Sequence, residues 1–132
     1  MNNRPEIISL PKFLDDRGNL SFVEQYKHIP FEIKRTFWIY DVPGGETRGN
    51  HSYQDTEEFI VALSGSFDVI LSNGEEELKF SLNRSYYGLY IPNGWWRVIN
   101  NFSTNSVALV HASSYYDKEK NIYTYEQLKT IL

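Results

Sequence analysis

The sequence predicts an all-β fold of the barrel or sandwich type. Short apolar, aromatic and β-branched runs recur along the chain, turn residues separate them at spacings of roughly 8–12 residues, and one run alternates strictly between two faces. Aromatics are abundant, with ten Tyr, eight Phe and three Trp in 132 residues. Such side chains suit strands and concave sites better than surface helices. The length fits one compact domain, and 1–132 is read as a single domain without internal repeat or linker.

Taken in order, 20–25 and 33–40 are the first strands, and Pro43-Gly44-Gly45 then breaks the chain. The run 58–63 is apolar, Ser64-Gly65-Ser66 turns, and 67–71 continues as a strand. Asn73-Gly74 is a pair favoured in two-residue hairpin turns. The return strand sets Leu78, Phe80 and Leu82 on one face against Glu77, Lys79 and Ser81 on the other. Strands over 88–91, 95–100 and 106–113 follow, the first two parted by the turn Pro92-Asn93-Gly94. Only the tail, 118–132, has helical spacing, through Tyr125, Leu128 and Ile131/Leu132.

Composition narrows the function. There is no cysteine, which excludes disulfides, thiolate metal sites and cysteine nucleophiles. Charge is −4 with acids and bases interspersed, so no basic stripe exists for a nucleic acid polymer, although one or two arginines suffice for a small anion. No apolar run reaches the roughly 20 residues of a membrane span, and the first residues have no signal-peptide stretch. The expectation is a cytoplasmic protein that uses no membrane. On that expectation the sequons at Asn83 and Asn101 are chance matches, and His28, just before Pro30, is a surface residue.

Two segments carry the chemistry. In the first, Gly45 is followed after five residues by His51-Ser52-Tyr53, then after four by Glu58, then after six by Gly65. In the second, Pro92-Asn93-Gly94 is followed after two residues by Arg97 and after three more by Asn101. Together they resemble the two signature motifs of the cupin superfamily, with the second motif's leading glycine displaced to Gly88. The resemblance implies a jelly-roll (double-stranded β-helix) barrel closed by a short C-terminal helix. In metal-dependent cupins the ligands stand where this chain has His51, Tyr53, Glu58 and Arg97. A phenol is protonated near neutral pH, and a guanidinium has no lone pair and repels a cation. No metal and no other cofactor is expected.

Further stretches narrow the resemblance. Ile33-Lys34-Arg35, Thr47-Arg48-Gly49-Asn50-His51, Gly88-Leu89-Tyr90-Ile91-Pro92 and Ala112-Ser113-Ser114-Tyr115-Tyr116-Asp117 are similar to the WxcM-like sugar 3,4-ketoisomerases. This implies isomerisation of a dTDP-linked 4-keto-6-deoxysugar through an enediolate, in deoxysugar and surface polysaccharide biosynthesis, by a homodimer. It also implies catalytic roles for His51, Tyr53 and Arg48, where the family has a second histidine at the position of Tyr53. Arg48 would anchor the diphosphate or a developing enediolate oxygen. Glu58, Arg97, Tyr90 and Phe37 are assigned to substrate binding, and the plainer expectation for Glu58 is an ion pair with Arg97 in the vacated metal position. Trp38, Trp95 and Trp96 are read as packing. His111 joins the site if its face of 106–113 lines the barrel. Alternative readings are a 3,5-epimerase-like enzyme on the same substrates, and a nucleotide-sugar or carbohydrate-binding cupin without catalysis, which the loss of the second histidine favours.

Overall fold

Period-2 alternation lets a strand bury one face, and here two sheets bury theirs against each other. A computed structural model gives the structure of residues 4–53, 55–116 and 121–122; over 49–53 and 121–122 it is the backbone that is described. The strands are β1 (Glu6–Ser9), β2 (Lys12–Phe13), β3 (Leu20–Ser21), β4 (Arg35–Ile39), β5 (Arg48–Tyr53) and β6 (Glu58–Ser64). They continue as β7 (Phe67–Ser72), β8 (Glu77–Leu82), β9 (Tyr87–Ile91), β10 (Trp96–Asn100), β11 (Val107–Ala112) and β12 (Asn121–Ile122). One five-stranded sheet has the order β1-β9-β6-β11-β4, the other β12-β5-β10-β7-β8, and β2-β3 form a small hairpin. Every strand pair within the three sheets is antiparallel.

The all-β architecture thus matches the expectation. The tail differs where it is described: Asn121 and Ile122 pair with Tyr53 and Ser52 as a strand, because the open edge of β5 offers backbone hydrogen bonds to a passing chain. The rest of the expected helix over 118–132 lies outside the described residues.

The core between the sheets joins Ile60, Leu89, Ile91, Ala108 and Val110 of the first to Val69, Leu71, Leu82 and Ile99 of the second. Leu78 and Phe80 pack against it, so the alternation read from β8 holds. The hairpin before β8 is looser than a two-residue turn. Ser72 pairs with Glu77, and Asn73 instead uses its side-chain oxygen to accept from the backbone N–H groups of Glu75 and Glu76, both at 2.9 Å. At the β6–β7 turn, Gly65 has φ +68°, and a Cβ there would lie 2.4 Å from Ser103 Oγ and 2.9 Å from Ser106 Cα. Only glycine lets the two loops close together.

The first sheet has a second cluster on its outward face. Segment 22–33 lays Ile29 and Phe31 over Phe59, Val61 and Tyr90. That segment was expected to extend β3 as far as 25. It turns instead: Glu24 N donates to His28 Nδ1 at 2.8 Å, and Tyr26 has φ 62°. His28 is half-buried rather than a surface residue, with its ring edge-on to Phe22.

Candidate active site

A cavity of about 550 Å³ opens between the sheets, within the range of small-ligand sites. Its walls are apolar (Ile60, Val69, Ile91, Ile99 and Val110), and its charged groups are few: Glu58 and Arg97 inside, with Arg48, Glu46 and Asp41 toward the loop before β5. Phe37 also lines it. Four of the residues singled out from the sequence line this space, Phe37, Arg48, Glu58 and Arg97, and the strand register sets the backbone of His51 opposite Arg97.

Strand pairing explains the meeting. On β10, Arg97 and Ile99 face inward and Trp96 and Val98 outward, with Arg97 opposite Leu71 and Ile99 opposite Val69 of β7. On its other side β10 pairs with β5, where Arg97 stands opposite His51. A register shift follows, so Ile99 stands opposite Arg48. This β-bulge re-aims the end of β5 that carries Arg48 at the cavity. Tyr53, two residues beyond His51, is paired with Asn121.

Arg97 is 2% exposed and Glu58 3%. The Nη1 of Arg97 donates to Glu58 Oε1, and its Nη2 donates to the carbonyl of Trp95 at 3.0 Å. The expected ion pair is present. Taking both charges out of water costs much of what their attraction returns, so the pair speaks for function more than for stability. Among the described residues no group of three His, Cys, Asp or Glu could hold a metal ion. The residues do not fit one in any case: a guanidinium stands where the resemblance places a ligand, and its positive charge repels a cation.

Tyr90 does not join the site. Its neighbours Leu89 and Ile91 face the core, so alternation turns Tyr90 to the opposite side of the sheet. There its ring lies 6.3 Å from that of Phe31, and its hydroxyl donates to Glu57 Oε1 at 2.8 Å. Burial, then the hydrogen bond to Glu57 and its charge, push the phenol well above its ordinary pKa. Tyr90, read from the sequence as substrate-binding, thus does not line this cavity. His111 shares that outward face, with Nδ1 2.9 Å from Thr36 Oγ1, and burial pushes its imidazole down. It too stands outside the cavity. Gly88 lies on this side as well, where a Cβ would meet Phe59 Cζ at 2.4 Å, so the displaced glycine serves packing rather than ligand binding.

Sequence reasoning missed the loop 41–47 as a wall of the cavity and β5 as a strand. Arg48-Gly49-Asn50-His51-Ser52-Tyr53 has no apolar alternation to mark it. Its polarity was the available signal, because a polar strand beside an apolar cavity lines a site.

Fold and site together define a cupin-type barrel with a buried Glu58–Arg97 ion pair in its cavity. The chain belongs to the WxcM-like family: the model described as FdtA, WxcM-like, C-terminal, matches residues 3–132. It is 38% identical over 124 residues to the TDP-4-oxo-6-deoxy-alpha-D-glucose-3,4-oxoisomerase of Aneurinibacillus thermoaerophilus, covering 94% of this chain and 89% of that protein. A 3,4-ketoisomerase from Helicobacter canadensis superposes with TM-score 0.94 at 33% identity over 98% of both chains. A mutant of the 3,4-ketoisomerase QdtA from Thermoanaerobacterium thermosaccharolyticum, in complex with TDP-4-keto-6-deoxyglucose, superposes with TM-score 0.92 at 33% identity, over 98% of this chain and 95% of that one.

Proposed function

We propose that this protein is a metal-independent 3,4-ketoisomerase of a TDP-linked 4-keto-6-deoxyhexose, working as a homodimer. The observation that carries the reading is the β10–β5 register, which pairs the backbone of His51 with that of Arg97, the buried cation of a cavity with Arg48 at its loop end. Moving a ketone from C4 to C3 requires loss of the C3 proton, a negatively charged enediolate, passage of the O3 proton to O4, and protonation at C4. His51 is the base, since an imidazole is half-ionised near pH 6.5 and exchanges protons readily at neutrality. Arg48 and Arg97 supply positive potential where the enediolate charge develops, and the apolar walls keep that potential unscreened. Phe37 gives a face to the sugar, and Glu58 holds Arg97 in place. An unperturbed phenol is ionised in only about one molecule per thousand at pH 7, so Tyr53 acts as a neutral hydrogen-bond donor to a sugar oxygen and not as a second base.

The dimer is supported by the uncovered end of the outward face. Trp38, Tyr40 and Leu63 are 58%, 60% and 49% exposed there. Trp38 of β4 stands opposite Leu109 of β11, which stands opposite Val61 of β6, two residues before Leu63, and such an exposed patch marks an association surface. Sedimentation should give a dimer at micromolar concentration; a monomer would refute it.

The reading is tested by incubating the protein with TDP-4-keto-6-deoxyglucose in D2O and following deuterium incorporation and product by NMR. Deuterium at C4 of a 3-keto product, and at C3 of substrate returned from the enediolate, is expected, in protein that elemental analysis finds free of stoichiometric metal. Binding of the sugar nucleotide with neither exchange nor isomerisation would instead make this a binding protein.

A further inference from the structure

Glu58 has two carboxylate oxygens, and among the described residues only one finds a partner. Oε1 takes the hydrogen of Arg97 Nη1, while Oε2 is buried and, among the described residues, has no hydrogen-bond partner. The carboxylate hangs from β6, where Glu58 is fixed between Ile91 of β9 and Ala112 of β11, and it lines the cavity. Neighbouring polar side chains are committed elsewhere: Glu57 binds Tyr90 on the far side of the sheet, Thr56 binds Ser114 and Ser113 binds the backbone of Glu57. Leaving a buried carboxylate oxygen without a donor is costly, and the cost is relieved by whatever brings one. The surrounding wall of Ile60, Ile91 and Val110 offers none.

On this ground, and resting on the sugar-nucleotide reading above, we propose that Glu58 is a specificity-determining residue: Oε2 receives a hydrogen from one hydroxyl of the sugar ring. A ring hydroxyl donates there. A deoxygenated carbon leaves the oxygen unpaired, and a ketone sets two acceptors against each other. The cavity thereby selects a hydroxylated sugar at one particular carbon, and it does so separately from the arginines, which recognise negative charge.

The test is a cycle between ligand hydroxyls and this carboxylate. Calorimetry compares TDP, TDP-6-deoxyglucose and its three analogues lacking the C2, C3 or C4 hydroxyl on the wild type, Glu58→Gln and the double variant Glu58→Leu/Arg97→Met. In Glu58→Gln the amide oxygen is drawn to Arg97, which leaves an N–H group where Oε2 stood. A hydrogen bond to a charged group is worth roughly 10- to 100-fold in affinity, so one deletion should weaken wild-type binding by about tenfold or more. The same deletion should cost no more than about twofold in the double variant and clearly less than in the wild type in Glu58→Gln, whose N–H can still meet the hydroxyl oxygen, and TDP alone should bind the wild type and Glu58→Gln alike. Should Glu58→Gln fail to fold, the double variant, whose buried pair is replaced by apolar groups, completes the cycle. The proposal is overturned if no single hydroxyl matters in the wild type, or if its loss costs the same in every protein. Failure of the wild type to bind TDP or any of these sugars would overturn the sugar-nucleotide reading itself.

Discussion

Glu57 and Glu58 are adjacent in sequence and live in different chemistries. Glu58 faces the cavity and holds a guanidinium. Glu57 faces the other side of the same sheet, holds the hydroxyl of Tyr90, and has its backbone tied to Ser113 through Glu57 N to Ser113 Oγ at 2.8 Å and Ser113 N to Glu57 O at 3.0 Å. One step along a strand turns a side chain from the inner face to the outer. The comparison teaches that the two faces of this sheet divide the work. The inner face carries few charges, placed for a ligand; the outer face uses its polar groups to pin the start of β6.

The largest effect should come from the inner face. His51→Asn is expected to slow solvent exchange at C3 by about 10²–10⁴-fold with little change in thermal stability, the scale of lost general-base catalysis. Exchange at the wild-type rate would break the assignment of the base. Next is Arg97→Met, which strands the Glu58 carboxylate and should cost about 3–5 kcal/mol in urea denaturation. The double variant Glu58→Leu/Arg97→Met should regain most of that, yet stay inactive. If the double variant isomerised the sugar, the cation would have no role in catalysis.

Smaller effects belong to the outer face. Tyr90→Phe keeps the ring and loses the hydrogen bond to Glu57, for about 1–2 kcal/mol of stability and a kcat/KM within about twofold of wild type. A large fall in kcat/KM with unchanged stability would return Tyr90 to the site. Its raised pKa also has a sign. The folded state favours the neutral phenol, so this stabilisation is complete below the unfolded pKa near 10 and declines as pH rises beyond it, a decline that the Phe variant should lack. The smallest effect is that of His111. Its pKa is lowered by burial, so the unfolded chain binds the proton more readily, and stability falls as pH drops below about 6.5. In His111→Gln that part of the acid-side slope should be missing from denaturation curves taken between pH 7 and 5.

Much of this was legible in the residues. The spacing from Gly45 to Gly65 and from Pro92 to Asn101 located the Glu58–Arg97 pair, because two turns and the strands between them have fixed lengths. Asn101 itself sits at φ 54° and donates to Asp68 Oδ2 at 3.1 Å, a backbone conformation asparagine tolerates better than most residues. Tyr90 was misplaced for a definite reason. β9 reads Tyr-Gly-Leu-Tyr-Ile and four of its five residues are buried, so neither face carries a polar marker to show which is the inner one.

By itself the sequence determined that the chain forms short alternating strands, and that a cation stands where the resemblance to related barrels places a metal ligand. These follow from local stereochemistry and from residue identity. Only the tertiary structure decided which side of the first sheet became the cavity wall, and so sent Phe37 and Glu58 inward and Tyr90 and His111 outward. It also brought His51 opposite Arg97. Both outcomes depend on pairing between strands far apart in sequence and on segment 22–33 covering one face of the sheet, and a period of two contains no information about which face that will be.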